Sequence, residues 1–433
     1  MNRRRPCTEA VTTCGNGASP LPAVRPGELR PALRRNAAAL FVAFLAALLA
    51  ACGAVPRLPQ GVYVWQRVWD PALSAAVAAT PAFGSSLRVL ALQLGPGEQR
   101  VEPEPDWDAL RWTGLPVTLV VRIDGSRGDL ATRLPQPQQT LNALLDRWRE
   151  HGIAPANLEI DYDCATAQLA AYAQWLAALR AGLPAGIRLS ITALPAWRGA
   201  AELDGVLATV DLSVLQVHAV RSPAQGLFDA TLARRWVADW SRRSGARPFL
   251  VALPAYGARL KLDGDGAVIA VESEQRLAQR SADTRELVVD PQEVAALIAT
   301  LEAQRYANLA GFVWFRLPRD GDERAWSLRT LRAVATAQPL RAELRVAVTP
   351  QPGGALDLSV HSDGTLDAPL PWQLRVHGDC GVGDGANGYA LLRENGLLLQ
   401  RQRGDAPVLR AGTSRRIGWL RCVDPAAVRV TPE

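Results

Sequence analysis

Lysine is almost missing from this chain of 433 residues: Lys261 is the single lysine among 48 basic residues, and all the others are arginine. We read that bias as coding preference rather than chemistry. Histidine is scarce too, with four in the chain, and the strand-like segments of the first two thirds hold one, His218. A metal-dependent hydrolase usually gathers several imidazoles with its carboxylates, so no metal and no cofactor is expected. Net positive charge is nearly absent from the body of the chain. The formal charge is +6, but residues 1–52 hold seven arginines against Glu9 and Glu28. Residues 53–433 are close to neutral, which leaves a nucleic-acid partner without electrostatic support. Long apolar runs are lacking as well. The one candidate, residues 37–51, is short of the ~20 residues that span a bilayer.

That run has another reading. Arg34 and Arg35 precede it, and Leu49-Ala-Ala-Cys52 ends it. A charged start, an apolar middle and a small-residue end make an export signal. The ending resembles a bacterial lipobox, which implies cleavage before Cys52 and a lipid on that residue. Residues 1–52 are then leader and signal peptide, and the mature protein sits in the cell envelope, held to a membrane by its N-terminal lipid. Gly53, where an Asp would favour inner-membrane retention, points to the outer membrane and the periplasm. An uncut anchor is the alternative. Beyond Cys52, the remaining cysteines are Cys164, Cys380 and Cys422. Export permits disulfides, and Cys380 and Cys422 are expected to pair, with two separate buried thiols as the other option.

From residue 60 to 338, strand-like and helix-like runs alternate. Eight segments rich in Val, Leu and Ile lie at 61–69, 87–94, 117–124, 157–163, 187–194, 212–220, 249–256 and 310–317, with helical periodicity between them. The repeat predicts an α/β fold, a (β/α)8 TIM barrel; a doubly wound open sheet is the alternative. Residues 258–290 interrupt the rhythm. Asp263-Gly-Asp-Gly266 between two short strands reads as a β-hairpin inserted after the seventh strand. From 340 to 433 short alternating runs replace helices, and Glu394-Asn-Gly396 is a hairpin signal. A small all-β, sandwich-like domain is expected there.

Chemistry concentrates at the C-terminal ends of the strands, where barrel enzymes carry their sites. The fourth strand holds Glu159, Asp161 and Asp163, two apart and so on one face. Around them the strand ends supply Trp65, Gln93, Arg122, Asp124, Trp197, Gln216, His218, Tyr256, Trp314 and Arg316. Carboxylates among aromatic faces suit a polysaccharide or glycan, since rings stack on sugars and acids work on the glycosidic bond. The bland alternative for Asp161 is a buried structural pair with Arg122; for His218, Trp197, Tyr256 and Trp314 it is packing.

These residues carry a resemblance. The acid strand is similar to the D-x-D-x-E signature of glycoside hydrolase family 18, the chitinase family. Leu253-Pro-Ala-Tyr-Gly257 resembles its G-x-P-x-Y-G strand, and Trp314 in Gly311-Phe-Val-Trp314 matches the Trp that floors its sugar site. The wider layout resembles a family of exported bacterial proteins, domain of unknown function 3142. The resemblance implies a glycoside hydrolase-like lipoprotein in which Asp163 is the acid, Asp161 its partner and Glu159 a support from below. Three departures accompany it. Asp163 stands where chitinases have Glu, Glu159 where they have Asp, and His218 where they have a Tyr. A barrel that binds a glycan without cleaving it, or a structural lipoprotein with a vestigial cleft, is the alternative expectation.

Overall fold

The computed structural model describes residues 57–433 apart from 96–98, 126–129, 131–133, 135, 219–225, 273–283, 394–395 and 403–407. The leader, Cys52 and the central residues of the Glu394-Asn-Gly396 turn lie outside the described residues. Residues 57–433 form one compact unit.

Among the described residues, eight strands alternate with eight helices from Gln60 to Ala335. The strands are β1 (Gln60–Val64), β2 (Ser86–Leu94), β3 (Val117–Ile123), β4 (Asn157–Asp161), β5 (Arg188–Ala193), β6 (Leu212–Gln216), β7 (Phe249–Pro254) and β8 (Leu309–Phe315). Each pairs in parallel with the next, and β1 pairs with both β2 and β8, so the sheet closes into the expected (β/α)8 barrel. The helices are α1 (Pro71–Ala79), α2 (Trp107–Thr113), α3 (Pro137–Glu150), α4 (Leu169–Ala181), α5 (Leu203–Thr209), α6 (Ala230–Ser244), α7 (Pro291–Gln304) and α8 (Leu328–Ala335). Several start at a side chain that satisfies otherwise unpaired backbone N–H groups. Asp70, Asp106, Asp229, Asp290 and Ser327 each accept from an N–H in the first turn.

Strand alternation sorts the barrel into two cores. Leu87 and Val89 face the helices, as do Phe312 and Trp314. Tyr63, Trp65, Leu90, Val120, Val214, Ala252 and Val313 fill the interior. The register of β2 slips between Leu90 and Leu92. A bulge inserts one residue and reverses which side chains face inward. Arg88 and Leu90 point inward below the slip, and Gln93 does so above it.

Low in the interior lies a buried ion pair. Glu159, fully buried, accepts from Arg88 Nη1, from Tyr63 Oη at 2.6 Å and from Ser190 Oγ at 3.1 Å. Tyr63 is in register with Arg88, and Glu159 with Ser190. A carboxylate in this setting is tolerated because each oxygen has donors.

After β7, Ala258–Leu262 pairs antiparallel with Val268–Glu272, the hairpin expected from sequence, and on its other edge with Thr284–Leu287. Asp263 Oδ1 accepts the N–H groups of Asp265 and Ala267, a local turn bond. Tyr256 bridges to Ala325, and Gly257 N–H donates to Arg324 O at 2.5 Å, which stitches the exit of β7 to the loop between β8 and α8.

Beyond residue 340 the chain is antiparallel β. One four-stranded sheet holds Leu344–Pro350, Leu356–Ser362, Ser414–Cys422 and Cys380–Gly385, and a second holds Tyr389–Leu392, Leu397–Arg401, Gln373–His377 and Arg429–Pro432. Leu356, Leu358, Ile417 and Leu420 of the first share a core with Leu374, Val376, Tyr389 and Leu399 of the second. Cys380 and Cys422 face each other across paired strands and form a disulfide, and Cys164 is a buried free thiol. No helix among the described residues is long and apolar enough to cross a membrane.

The bridge closes a 42-residue separation, for which the chain-entropy relation gives about 4 kcal/mol. Cys380→Ser with Cys422→Ser is expected to lower the urea stability of the C-terminal sheets by roughly that amount. The barrel transition should stay in place, as read by circular dichroism and hydrogen exchange. In the barrel, Arg88→Met strands Glu159 without its cation and is expected to cost about 3–5 kcal/mol, more than Arg88→Met made together with Glu159→Gln.

Candidate functional site

The strand C-terminal ends surround a cavity of about 360 Å³, within the range of small-ligand sites. Its walls include Trp65, Gln93, Arg122, Asp124, Asp161, Asp163, Gln216, His218 and Tyr256, so nine of the sequence-derived site residues meet in one place. Tyr63, Arg67, Thr192, Leu194, Ala252 and Phe315 complete the lining.

Arg122 organises the floor. Its Nη1 donates to Asp161 Oδ2 at 2.8 Å and to Asp163 Oδ2 at 2.9 Å, and its Nε donates to Asp124 Oδ1 at 2.9 Å. Burial works against the guanidinium charge, yet Asp161 and Asp163 outweigh it and hold the Arg122 proton more tightly than usual. Thr192 Oγ1 donates to the other oxygen of Asp161 at 2.6 Å, and Gln216 Nε2 donates to Asp163 Oδ1 at 3.2 Å. Arg67 donates to Gln93, and Gln93 donates to Asp124, which ties the first three strands together along the rim.

The three acids of the β4 run therefore occupy three environments. Glu159 lies beneath the cavity, sealed by Arg88, and does not line it. Asp161 lines the floor but is only 3% exposed. Burial, opposed by Arg122 and reinforced by Asp163, lifts its carboxyl from 3.8 to about 6. The Asp163 side chain is 36% exposed and projects into the cleft. One run of evenly spaced acids thus yields a structural ion pair, a floor that keeps its proton to higher pH and an accessible carboxyl.

An aromatic wall faces them. Phe315 stacks on His218 at 5.3 Å and meets Trp65 and Tyr256 edge-on at 5.1 and 5.4 Å. His218 is buried, its Nδ1 3.3 Å from Tyr256 Oη. Its Nε2 has no hydrogen-bond partner among the described residues. Burial pushes its pKa down from 6.5 to about 4, so the ring is neutral at pH 7.

Three expected site residues lie elsewhere. Trp314 does not floor the cavity. It points outward, fully buried against Trp326, with its indole N–H on Gln60 Oε1 at 2.9 Å. Alternation along β8 gives the inward place to the next residue, Phe315. Trp197 is fully buried beside Tyr172 and donates to Cys164 O at 3.0 Å. It begins no cavity wall because it sits in a short 3-10 turn after β5. Arg316 follows Phe315 and turns to Asp322 at 3.2 Å. Conversely, Arg67 and Thr192 were missed. Arg67 lies beyond β1 in a loop, and Thr192 carries no charge or ring to mark it, although its place two residues before Leu194 on β5 matches the inward parity of Ser190. Among the described residues no group of three His, Cys, Asp or Glu side chains is arranged to hold a metal ion.

Two titrations in this site oppose each other. Folded Asp161 retains its proton up to about 6, above its unfolded value, so its contribution to stability falls as pH rises from about 4 to 6. Folded His218 resists protonation down to about 4, below its unfolded value, so its contribution falls as pH drops from about 6.5 to 4. His218→Gln is expected to leave a urea midpoint that declines from about pH 4 to 6, and Asp161→Asn one that climbs over the same interval. Equal slopes in wild type and both variants would remove this assignment of the protons.

The barrel is distantly similar in fold to solved structures of a spore cortex-lytic enzyme and of chitinases. The spore cortex-lytic enzyme SleL of Bacillus cereus aligns at 13% identity over 61% of this chain and 72% of that one, with a TM-score of 0.47. A chitinase from Chromobacterium violaceum aligns at 15% identity over 65% and 98%, with a TM-score of 0.44. A chitinase from Bacillus thuringiensis aligns at 9% identity over 87% and 100%, with a TM-score of 0.43. A search of curated proteins found no match. Two family models do match, and they divide the chain where its architecture changes. Residues 113–320, from the end of α2 to the loop after β8, match the model of a domain of unknown function, DUF3142, and residues 345–423 of the C-terminal sheets match that of a second, DUF8456.

Proposed function

We propose that the cleft takes a glycan and that Asp163 acts on a glycosidic bond, with Asp161 as its partner. The observation that carries this reading is the graded burial of the β4 acids: one sealed, one holding a proton to about pH 6, and one open to the cavity opposite a wall of rings. Sugar faces stack on Trp65, Phe315 and Tyr256. Asp161 and Asp163 meet on one guanidinium nitrogen, and Asp161, raised to about 6, keeps its proton into mildly acid solution. Asp163 is the member that a substrate reaches: a proton given from it to the leaving oxygen breaks the glycosidic bond, water adds at the anomeric carbon, and the proton that water loses returns to the carboxylate. Gln216, Gln93 and Asp124 offer hydrogen bonds to hydroxyl groups along the floor.

One observation favours a second reading, a barrel that binds a glycan without cleaving it. Arg122 donates to both carboxylates at once, and a cation so placed favours their charged forms. We also propose a lipid on Cys52 and a place in the envelope, on the periplasmic face of the outer membrane, a reading supported by Arg34-Arg35, the apolar run 37–51, Leu49-Ala-Ala-Cys52 and Gly53.

The experiment is a panel of envelope and extracellular glycans incubated with the protein. In the hydrolase, reducing ends form with wild type, decline as pH rises through about 6, and fall about 10²–10⁴-fold in Asp163→Asn. Retention of the glycan without reducing ends, unchanged in Asp163→Asn and lost in Trp65→Ala, establishes the binder instead. Neither retention nor turnover on a broad panel sinks both. Metabolic labelling with palmitate reads the anchor, and label surviving in Cys52→Ser overturns it.

A further inference from the structure

The end of the barrel opposite the cleft has features that neither glycan recognition nor the fold requires. Helices run antiparallel to strands in a (β/α)8 barrel, so helix C-termini and strand N-termini share this base. Trp112, in the last turn of α2, is 82% exposed there. An indole of that size left in water is unusual on a monomer's surface and is the side chain that favours a lipid–water interface. It follows Arg111 and precedes Gly114 and Pro116, whose small or rigid side chains leave it standing clear.

Around this base the charge is positive. Arg188 opens β5, Arg247 lies two residues before β7, and Arg305 ends α7 in a left-handed conformation, all three exposed. Basic residues in a helix's last turn are explained by its dipole, but Arg188 and Arg247 are outside helices. The nearby acids are largely engaged. Asp211 holds Arg180 at 2.7 Å and also faces Arg188, and Glu302 lies 3.6 Å from Arg57. Glu150 is the exposed acid that remains at the end of α3. The chain also enters the unit at this end, with Arg57 three residues before β1.

We propose that the base docks on an anionic lipid bilayer, with Trp112 in the interface and Arg188, Arg247 and Arg305 facing the headgroup phosphates. A ring with a polar N–H, on a face that carries exposed guanidinium groups on other sectors of the barrel, fits such a surface better than an apolar protein face, because the exposed apolar area is one side chain wide. Docked this way, the barrel axis stands upright and the cleft opens away from the membrane. The docking needs no lipid on Cys52, so its test is separate from that of the anchor.

The test uses residues 57–433, which form a compact unit with their own cores, and vesicles of phosphatidylcholine with or without phosphatidylglycerol. Cosedimentation is expected with the anionic vesicles alone and should weaken as salt is raised. Trp112→Ala should reduce the partition about tenfold, and Arg188→Glu with Arg247→Glu and Arg305→Glu by more than about 100-fold. All are surface positions, and unchanged thermal unfolding confirms the fold of each variant. The proposal is overturned by three outcomes: no binding to anionic vesicles, equal binding to neutral ones, or binding that neither variant weakens. A self-associating species lost in Trp112→Ala, without vesicle binding, would assign the face to a second copy and overturn it too. Each of these failures leaves the palmitate assay of Cys52 unaffected.

Discussion

One guanidinium sets the character of this barrel's mouth. Arg122 reaches Asp124 on its own strand through Nε and Asp161 and Asp163 on the next through Nη1. Three carboxylates crowded at one end would repel one another and each would resist ionisation. With the cation among them, the cluster folds and still leaves one proton poorly placed. Gln93, Thr192 and Gln216 then fix which oxygens remain open. The electrostatics of the cavity are thus decided by a side chain whose planar fork allows simultaneous bonds in different directions.

Below this level the barrel solves a different problem with similar parts. Glu159 and Arg88 form a closed pair with Tyr63 and Ser190, out of reach of solvent. The floor above needs that pair to be complete, since an uncompensated charge beneath Asp161 would shift its proton affinity. Along β4 the interior therefore passes from sealed charge at Glu159 to shared charge at Asp161, two residues nearer the mouth.

Much of this was legible in the sequence, because period-two alternation and strand spacing are local properties. The eight strands, the hairpin after β7 and the inward face of the β4 acids all follow from pattern alone. The failures arise where pattern needs register. Trp314 and Phe315 are adjacent, and only the closed sheet says which of them faces the interior; the larger ring faces the helices. Gln93 was placed correctly although the alternation begun at Arg88 would have turned it outward, since the slip near Ala91 is invisible in composition. Trp197 misled because a strand end was assumed where a 3-10 turn begins. Arg67 was missed because nothing local indicates which loop residue folds back over the rim.

Gly257 follows the cavity's Tyr256, and a Cβ there would come 2.5 Å from Leu287 O and 3.1 Å from Arg324 O. Both are backbone atoms held by pairing, so no rotamer change makes room. The position is closed to every other amino acid for reasons of space alone. Among descendants of this chain it would stay glycine even if the cleft lost its ligand, its chemistry or both. Persistence of that residue would then be a record of how the insertion is fastened to the barrel, and drift at Tyr256 beside it would be the better measure of whether selection still acts on the cleft.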